Sequence, residues 1–553
     1  MEFNVDELEK IAENHRQTED YLECARTLSL IADFFEKIND ENKSNFYYKQ
    51  ILECFIKSAE MERNDFFEAA ERWCSAASLA KTINTSMYLI CVNKLVNLLE
   101  TAAQNAIKKE KYLEAGEYYL QAGKFIKDDL FEAEYQELYK KAIKCYIKVI
   151  DAGLQNFNTD EKIKFYLRIA TLYGELNEYD DSIKFLDKAL KLLEVSNSPK
   201  YYGLIGRIYY YKANCLKNLS STSSIHNDLL KKAINYLRME AEFNLKINKY
   251  LKAAESLSLA NWICEKMHNI NINSNDLIEK EALCYLNHAD LLRNTGNVIE
   301  AAKFERDAAY CYYKLNIQDK AVELLLKSAE YLKKEKEYII SAEYYRDVSL
   351  IFKNLNDYLN CGKYAYISGL LAKDSGYEYR AVQNFKIAYS CFNNTGEHYS
   401  MVKCSKELIN CLNNIAKLEY EDGNYHLSGT YFLDAAIYSH DADCRKENFE
   451  KAYNSYKNAI ELALNENNPY MGAYSLCCAG LVLLILNKRA VITQLINKYN
   501  DLSKEKYTKL LVRILECHKH SENKKAILQK VKDEFNKLIS SSEEIKKLIR
   551  FIE

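Results

Sequence analysis

"DFFEAAERWCSAASLAK" occupies residues 65–81 and "KYLEAGEYYLQAGKFIK" residues 111–127, and both carry one cadence of aromatic, small pair and second small pair. Phe66 leads to Ala69-Ala70 and then Ala76-Ala77; Tyr112 leads to Ala115-Gly116 and then Ala122-Gly123. Separations of three, seven and ten return to one face of a 3.6-residue helix. The small residues therefore form a stripe that a neighbouring helix can approach closely.

The cadence recurs as Tyr21 with Cys24-Ala25, Tyr250 with Ala253-Ala254, Val298 with Ala301-Ala302, Tyr338 with Ser341-Ala342 and Tyr425 with Ser428-Gly429. Further small residues at Ala260, Ala308 and Ala435 extend the stripe. Between copies lie second amphipathic segments, as in "DLIEKEALCYLNHADLLRNTGN" before Val298. Gly296-Asn297 and Gly423-Asn424 supply the left-handed helix stops that glycine allows. The unit is a helical hairpin. Copies 40 to 48 residues apart exceed the ~34 of a tetratricopeptide repeat and overlap other helical solenoids. The expected fold is an all-α, right-handed α-solenoid of antiparallel hairpins.

Composition agrees with this reading. Only 2 Pro and 15 Gly in 553 residues are too few for a turn-rich β protein, while 48% hydrophobic residues argue against disorder. The 17 Cys lie scattered in apolar helical patterns, as at Cys74, Cys215, Cys311 and Cys391, which suits a reducing cytosol. "AYSLCCAGLVLLILNK", from Ala473, is too short to span a bilayer and reads as a buried core helix. Residues 1–465 are expected to form the repeat array, with a possible flexible break near 220–228. Residues 466–553 form a less repetitive distal end, continuous with the array. Pro199 and Pro469 mark turns.

Chemistry is hard to find. No phosphate loop, dinucleotide fingerprint, His-Glu-x-x-His or Cys-x-x-Cys occurs, so no catalytic, cofactor or metal site is expected. Cys517, His518 and His520 diverge around a helix rather than converging on a metal. His440, Asp441, Asp443 and Cys444 read as capping and surface residues. The tyrosines follow the packing phase, and a net charge of −3 gives no drive toward nucleic acid. From Lys488 onward, however, 16 Lys/Arg face 9 Asp/Glu. Lys488, Arg489, Lys498, Lys504, Lys506, Lys509 and Arg513 are the candidate partner-binding residues, together with the concave face of the array.

The distal sequence from Gly472 to Leu538 runs from the Cys-containing apolar helix through "INKYNDL" and "KLLVRILECHKHSE" to "VKDEFNKL". It resembles the last helices of the soluble NSF attachment protein (SNAP) family, and "EAGEYYLQAGKFIK" resembles that family's central hairpins. The resemblance implies a helical adaptor that binds SNARE bundles, recruits a hexameric AAA ATPase and associates with membranes through its partners. "EEIKKLIRFIE", from Glu543, lacks the acidic, leucine-containing tail that stimulates the ATPase. "ADFFEKINDENKS", from Ala32, does not match the family's membrane loop, so Phe34 and Phe35 are expected in core or seam. The alternative function is a structural subunit of a stable multiprotein complex.

Overall fold

The computed structural model describes residues 5–37, 41–62, 65–83, 85–127, 132–153, 157–196, 198–219, 223–266, 274–517 and 524–552. Among the described residues there are 27 α-helices and no strand. Consecutive helices pack pairwise as hairpins, so the fold is an all-α hairpin array.

The chain divides into two compact units, residues 1–243 with 262–272, and residues 244–261 with 273–553. The first begins with α1 (Val5–Gln17), α2 (Tyr21–Lys37), α3 (Glu41–Met61), α4 (Phe66–Ile83), α5 (Thr85–Lys108) and α6 (Tyr112–Lys127). It continues through α7 (Glu132–Asp151), α8 (Thr159–Glu175), α9 (Tyr179–Ser196), α10 (Tyr202–Asn218) and most of α11 (Ser223–Lys246). Helix α12 (Tyr250–Lys266) contributes its last residues to this unit and its first to the second. The second unit carries α13 (Ser274–Asn294), α14 (Val298–Lys314), α15 (Gln318–Lys334), α16 (Tyr338–Asn354), α17 (Tyr358–Asp374) and α18 (Glu378–Thr395). Then follow α19 (His398–Glu421), α20 (Tyr425–Tyr438), α21 (Ala442–Asn465), α22 (Pro469–Ile485) and α23 (Arg489–Lys498). The unit ends with α24 (Lys506–Cys517), α25 (Lys524–Glu534), α26 (Asn536–Ser540) and α27 (Glu543–Ile552).

Each of the seven lead residues of the cadence opens a helix, and each small pair behind it is buried. Where the pair contains glycine, an aromatic ring of the following helix occupies the vacant side-chain space. A Cβ built on Gly116, Gly362 or Gly429 would stand 2.7, 2.8 or 2.7 Å from the ring of Tyr146, Phe392 or Tyr456. Where serine takes a seam position, its hydroxyl donates back to the preceding helix. Ser182 reaches the Ala170 carbonyl, Ser341 that of Ala329 and Ser428 that of Ala416, each at 2.7 Å. A buried hydroxyl thus stays satisfied in a seam meant for small apolar groups. Tyr358 with Cys361-Gly362 is an eighth copy, hidden in sequence because it belongs to the other helix of its hairpin.

The turns are as regular as the seams. Helices α14 to α19 start at residues 298, 318, 338, 358, 378 and 398, one every 20 residues. Two residues before each start the backbone is left-handed: Gly296, Asn316, Lys336, Asn356, Gly376 and Gly396 all have φ between 58° and 82°. The amide after each closes the preceding helix, as Ile317 N–H does on the Tyr312 carbonyl at 2.9 Å, in a Schellman arrangement.

Residues 223–228, within the expected flexible break, form the first turns of α11, while 220–222 lie outside the described residues. Pro199 opens a short 3₁₀ turn and Pro469 stands first in α22. Helix α22 is the buried core helix expected at Ala473: Gly472, Ala473 and residues 475–484 are all buried. No helix among the described residues is long and apolar enough to cross a membrane. All 17 cysteines are free, and most are buried. Phe35 is 6% exposed and stacks on Tyr47, as a core residue should.

Candidate protein-docking surface

Of the seven basic residues singled out in the distal helices, three are already neutralised by this chain. Lys488 Nζ lies 2.9 Å from Glu450, Lys498 Nζ 2.9 Å from Glu461, and Arg513 3.3 Å from Glu516. Hydrogen bonds from Lys498 to Glu461 and the Tyr499 hydroxyl raise its ammonium pKa above the ordinary lysine value. Arg489, at the first position of α23, is also engaged within the chain. Lys506 shares a cleft with Asp533 and Glu534. Lys504 and Lys509 are exposed and make no ion pair among the described residues, so the cationic face is smaller than its residue count suggests. His518 and His520 lie outside the described residues. Asp441 is the N-cap of α21, accepting from the Cys444 amide at 2.7 Å, and His440 is exposed. Among the described residues no three His, Cys, Asp or Glu side chains converge as a metal site would require.

The second unit spends its charges between helices. Arg306 of α14 reaches Asp347 of α16 at 2.6 Å, and Arg380 of α18 reaches Glu343 of α16 at 2.6 Å. Burial pushes the Asp347 carboxyl pKa up, and Arg306 pulls it back down. Asp434 of α20, 5% exposed, takes Lys386 of α18 at 2.6 Å and Lys547 of α27 at 2.7 Å. The arginine pairs and Lys386–Asp434 join alternate helices, α14 to α16 to α18 to α20, while Lys547 ties α27 back to α20.

The first unit makes such pairs too, as Lys127 does with Glu175 and Lys141 with Glu100, each at 2.8 Å, and it also carries a groove with exposed rings. Between α4 and α6 runs a groove of about 690 Å³ lined by Phe67, Ala70, Glu71, Cys74, Ser75, Gln121, Lys124 and Phe125. Phe67, Glu71 and Cys74 follow one another at helical spacing of four and three, on the face of α4 turned away from its small stripe. Phe67 is 40% exposed and Phe125 36%, two large rings only partly covered by the described residues. Phe67 is held in place by stacking on Tyr118, centroids 4.6 Å apart. Glu71 and Lys124 stand exposed on the rim with opposite charge. Rings in the middle, charges around them and a volume suited to side chains are the anatomy of a docking groove. Neither exposed ring stood out in the sequence, although one signal was present: Phe67 follows directly on the lead residue Phe66, where a second aromatic cannot share its neighbour's side of the helix.

No protein-family model matches the sequence, and no curated protein matches it. Solved structures do align with the fold. The apo form of RapI aligns at 16% identity over 58% of this chain and 97% of that one, TM-score 0.15. The human IFIT1 dimer with PPP-AAAA aligns at 12% identity over 91% and 96%, TM-score 0.16. A signal-transduction ATPase with numerous domains and a tetratricopeptide repeat sensor, from Pyrococcus horikoshii, aligns at 15% identity over 76% and 54%, TM-score 0.16. Scores this low carry no argument about function, and the fold stands on the helix packing described above.

Proposed function

We propose that this chain is a non-enzymatic scaffold that binds protein partners. The observation that carries the reading is the α4–α6 groove, where Phe67 and Phe125 are exposed beside a rim of opposite charges. Exposed aromatic anchors slow dissociation, and rim charges choose the partner and speed encounter. The narrower reading is a SNAP-like adaptor that binds helical SNARE-type bundles and recruits an AAA ATPase. It is supported by the likeness of residues 472–538 to SNAP distal helices, with Lys504 and Lys509 as the cations left for an acidic partner. The second reading, a fixed subunit of a larger complex, is favoured by a different observation: Tyr377, Tyr379 and Tyr399 are 50%, 49% and 81% exposed in the second unit. Tyrosine is enriched at protein–protein interfaces.

A photoreactive phenylalanine analogue placed at Gln121, and separately at Lys504, tests these readings in native extract. Crosslinks from Gln121 to a defined protein, abolished by Phe67→Asp with helicity retained, are the expected result. SNARE proteins or an AAA ATPase captured from Lys504 in a salt-dependent way support the adaptor, and salt-resistant capture at fixed stoichiometry supports the subunit. No specific crosslink from either position, with catalytic turnover by the isolated chain, overturns the proposal.

A further inference from the structure

Residues of the first unit from three helices meet at a cleft that the α4–α6 groove does not use. Helix α10 supplies Tyr210, Asn214 and Lys217, α11 supplies His226 and Leu230, and the end of α12 supplies Trp262, Ile263 and Lys266. The volume, about 310 Å³, is at the small-molecule end of binding sites. Leu230 and Ile263, 4% and 1% exposed, make the apolar floor. Beside them Trp262 is 43% exposed, an indole that the described residues only partly cover. Its ring meets Tyr210 edge to face, with centroids 5.6 Å apart and planes at 76°. Two rings at a steep angle form a corner, and a third planar ring can stack on one wall while meeting the other edge-on.

The charge of the cleft is one-sided. Among the described residues named in its lining none is acidic, whereas the grooves around Glu71, Asp533 and Glu300 all include carboxylates. Lys217 and Lys266 are exposed and make no ion pair among the described residues; the Lys266 ammonium lies 5.7 Å from the Trp262 ring centroid. His226 Nδ1 is 3.0 Å from the Ala213 carbonyl oxygen. A carbonyl only accepts, so Nδ1 carries the proton and Nε2 is the atom left over for a ligand.

We propose that this cleft binds a planar aromatic group that carries a phosphate. The ring fits the Tyr210–Trp262 corner above Leu230 and Ile263, and the phosphate is held by Lys217 and Lys266 with the Asn214 amide as a neutral donor. Two ammonium groups suit a phosphate dianion better than a single carboxylate. A nucleoside monophosphate and a phosphorylated tyrosine present this same chemistry, and the test separates them.

The sequence contains two tryptophans, Trp73 and Trp262, and Trp73 is only 5% exposed. Trp262 is therefore a built-in reporter. Tryptophan emission of the full chain is titrated with adenosine monophosphate and with O-phosphotyrosine, with adenosine, tyrosine and inorganic phosphate as controls. The expected result is a saturable change with at least one phosphorylated compound, at a Kd of about 1 mM or tighter. It weakens about tenfold in Lys217→Ala/Lys266→Ala, whose surface positions leave the fold intact, and vanishes in Trp262→Phe while Trp73 still emits. The preferred phosphorylated compound identifies the source of the ring. No saturable change, equal binding of adenosine or tyrosine, equal binding of bare phosphate, or indifference to loss of both lysines overturns the proposal.

Discussion

Between Gly296 and His398 the second unit keeps a strict metre, and from Pro469 onward it abandons one. In the metrical stretch every helix buries a stripe, meets its neighbours through small residues or glycine-seated rings, and turns through a left-handed residue each 20 positions. Helix α22 has no polar stripe. It is packed by α21, α23, α24 and α27 together, and α27 lays Ile545, Leu548, Ile549 and Ile552 into the same core. The first arrangement links each helix to its neighbour and, through pairs such as Arg306–Asp347, to the next but one, as in a one-dimensional array. The second is a small bundle with one shared core, and each buried Leu or Ile there contributes about 1.5–3 kcal/mol of burial.

The largest test of that difference is truncation. Leu481→Ala, at a site with 0% exposure, is expected to cost about 2–5 kcal/mol, through lost burial and the cavity left behind. Hydrogen exchange should then accelerate from α21 through α27 together. The matching truncation in the array, Leu325→Ala, also at a nearly closed site of 1% exposure, should loosen α14 to α16 and leave α19 untouched. If both variants produce equally local losses, the distal end is simply more array.

A smaller effect probes how closely the two regions are packed at glycine. A Cβ at Gly369 would stand 2.6 Å from the Phe385 ring, so Gly369→Ala is expected to cost about 1–3 kcal/mol by overpacking. Phe385→Leu in that background should recover part of the loss, which a double-mutant cycle measures directly. Gly472 of α22 differs: its added Cβ would meet Leu502 at 3.4 Å, an ordinary contact. Gly472→Ala should therefore be neutral or stabilise by up to about 1 kcal/mol through helix propensity. Equal costs at the two positions would remove the distinction. Gly480 shows that the bundle has one tight approach of its own, against Leu511 at 2.5 Å.

The hairpin fold was legible because it is written in residue size and phase. Ala69-Ala70, Ala115-Gly116 and Ser428-Gly429 mark seams whoever the partner is, and helical period follows from their spacing. Turns were read where glycine stood in them: Gly296 and Gly423 announce a left-handed backbone, Asn316 and Asn356 carry the residue that adopts it most readily after glycine, and Lys336 adopts it with no such signal. Charge was legible as a count and not as availability. Nothing in the sequence around Lys488 or Lys498 says that Glu450 and Glu461, about one hairpin earlier, already face them. The α4–α6 groove escaped for a related reason, since exposure of Phe67 and Phe125 depends on what neighbouring helices leave uncovered.

The smallest predicted effect bears on the metre itself. Lys336 sits at φ 66° in a turn where its counterparts Gly296, Gly376 and Gly396 are glycines. A side chain in that region carries a Cβ clash of about 1–2 kcal/mol, while glycine gives part of the advantage back through its freer unfolded chain. Lys336→Gly should thus stabilise the α15–α16 turn by about 0.5–1 kcal/mol. Gly296→Ala is the reciprocal experiment, because a Cβ there would meet nothing within 4 Å and only backbone conformation is at stake. It should destabilise by a similar amount. Opposite signs in thermal unfolding, with exchange changes confined to the mutated turn, mean that the 20-residue metre is set by local backbone conformation. If Lys336→Gly destabilises instead, the Lys336 side chain supports the turn through packing, and the regular spacing must come from the seams.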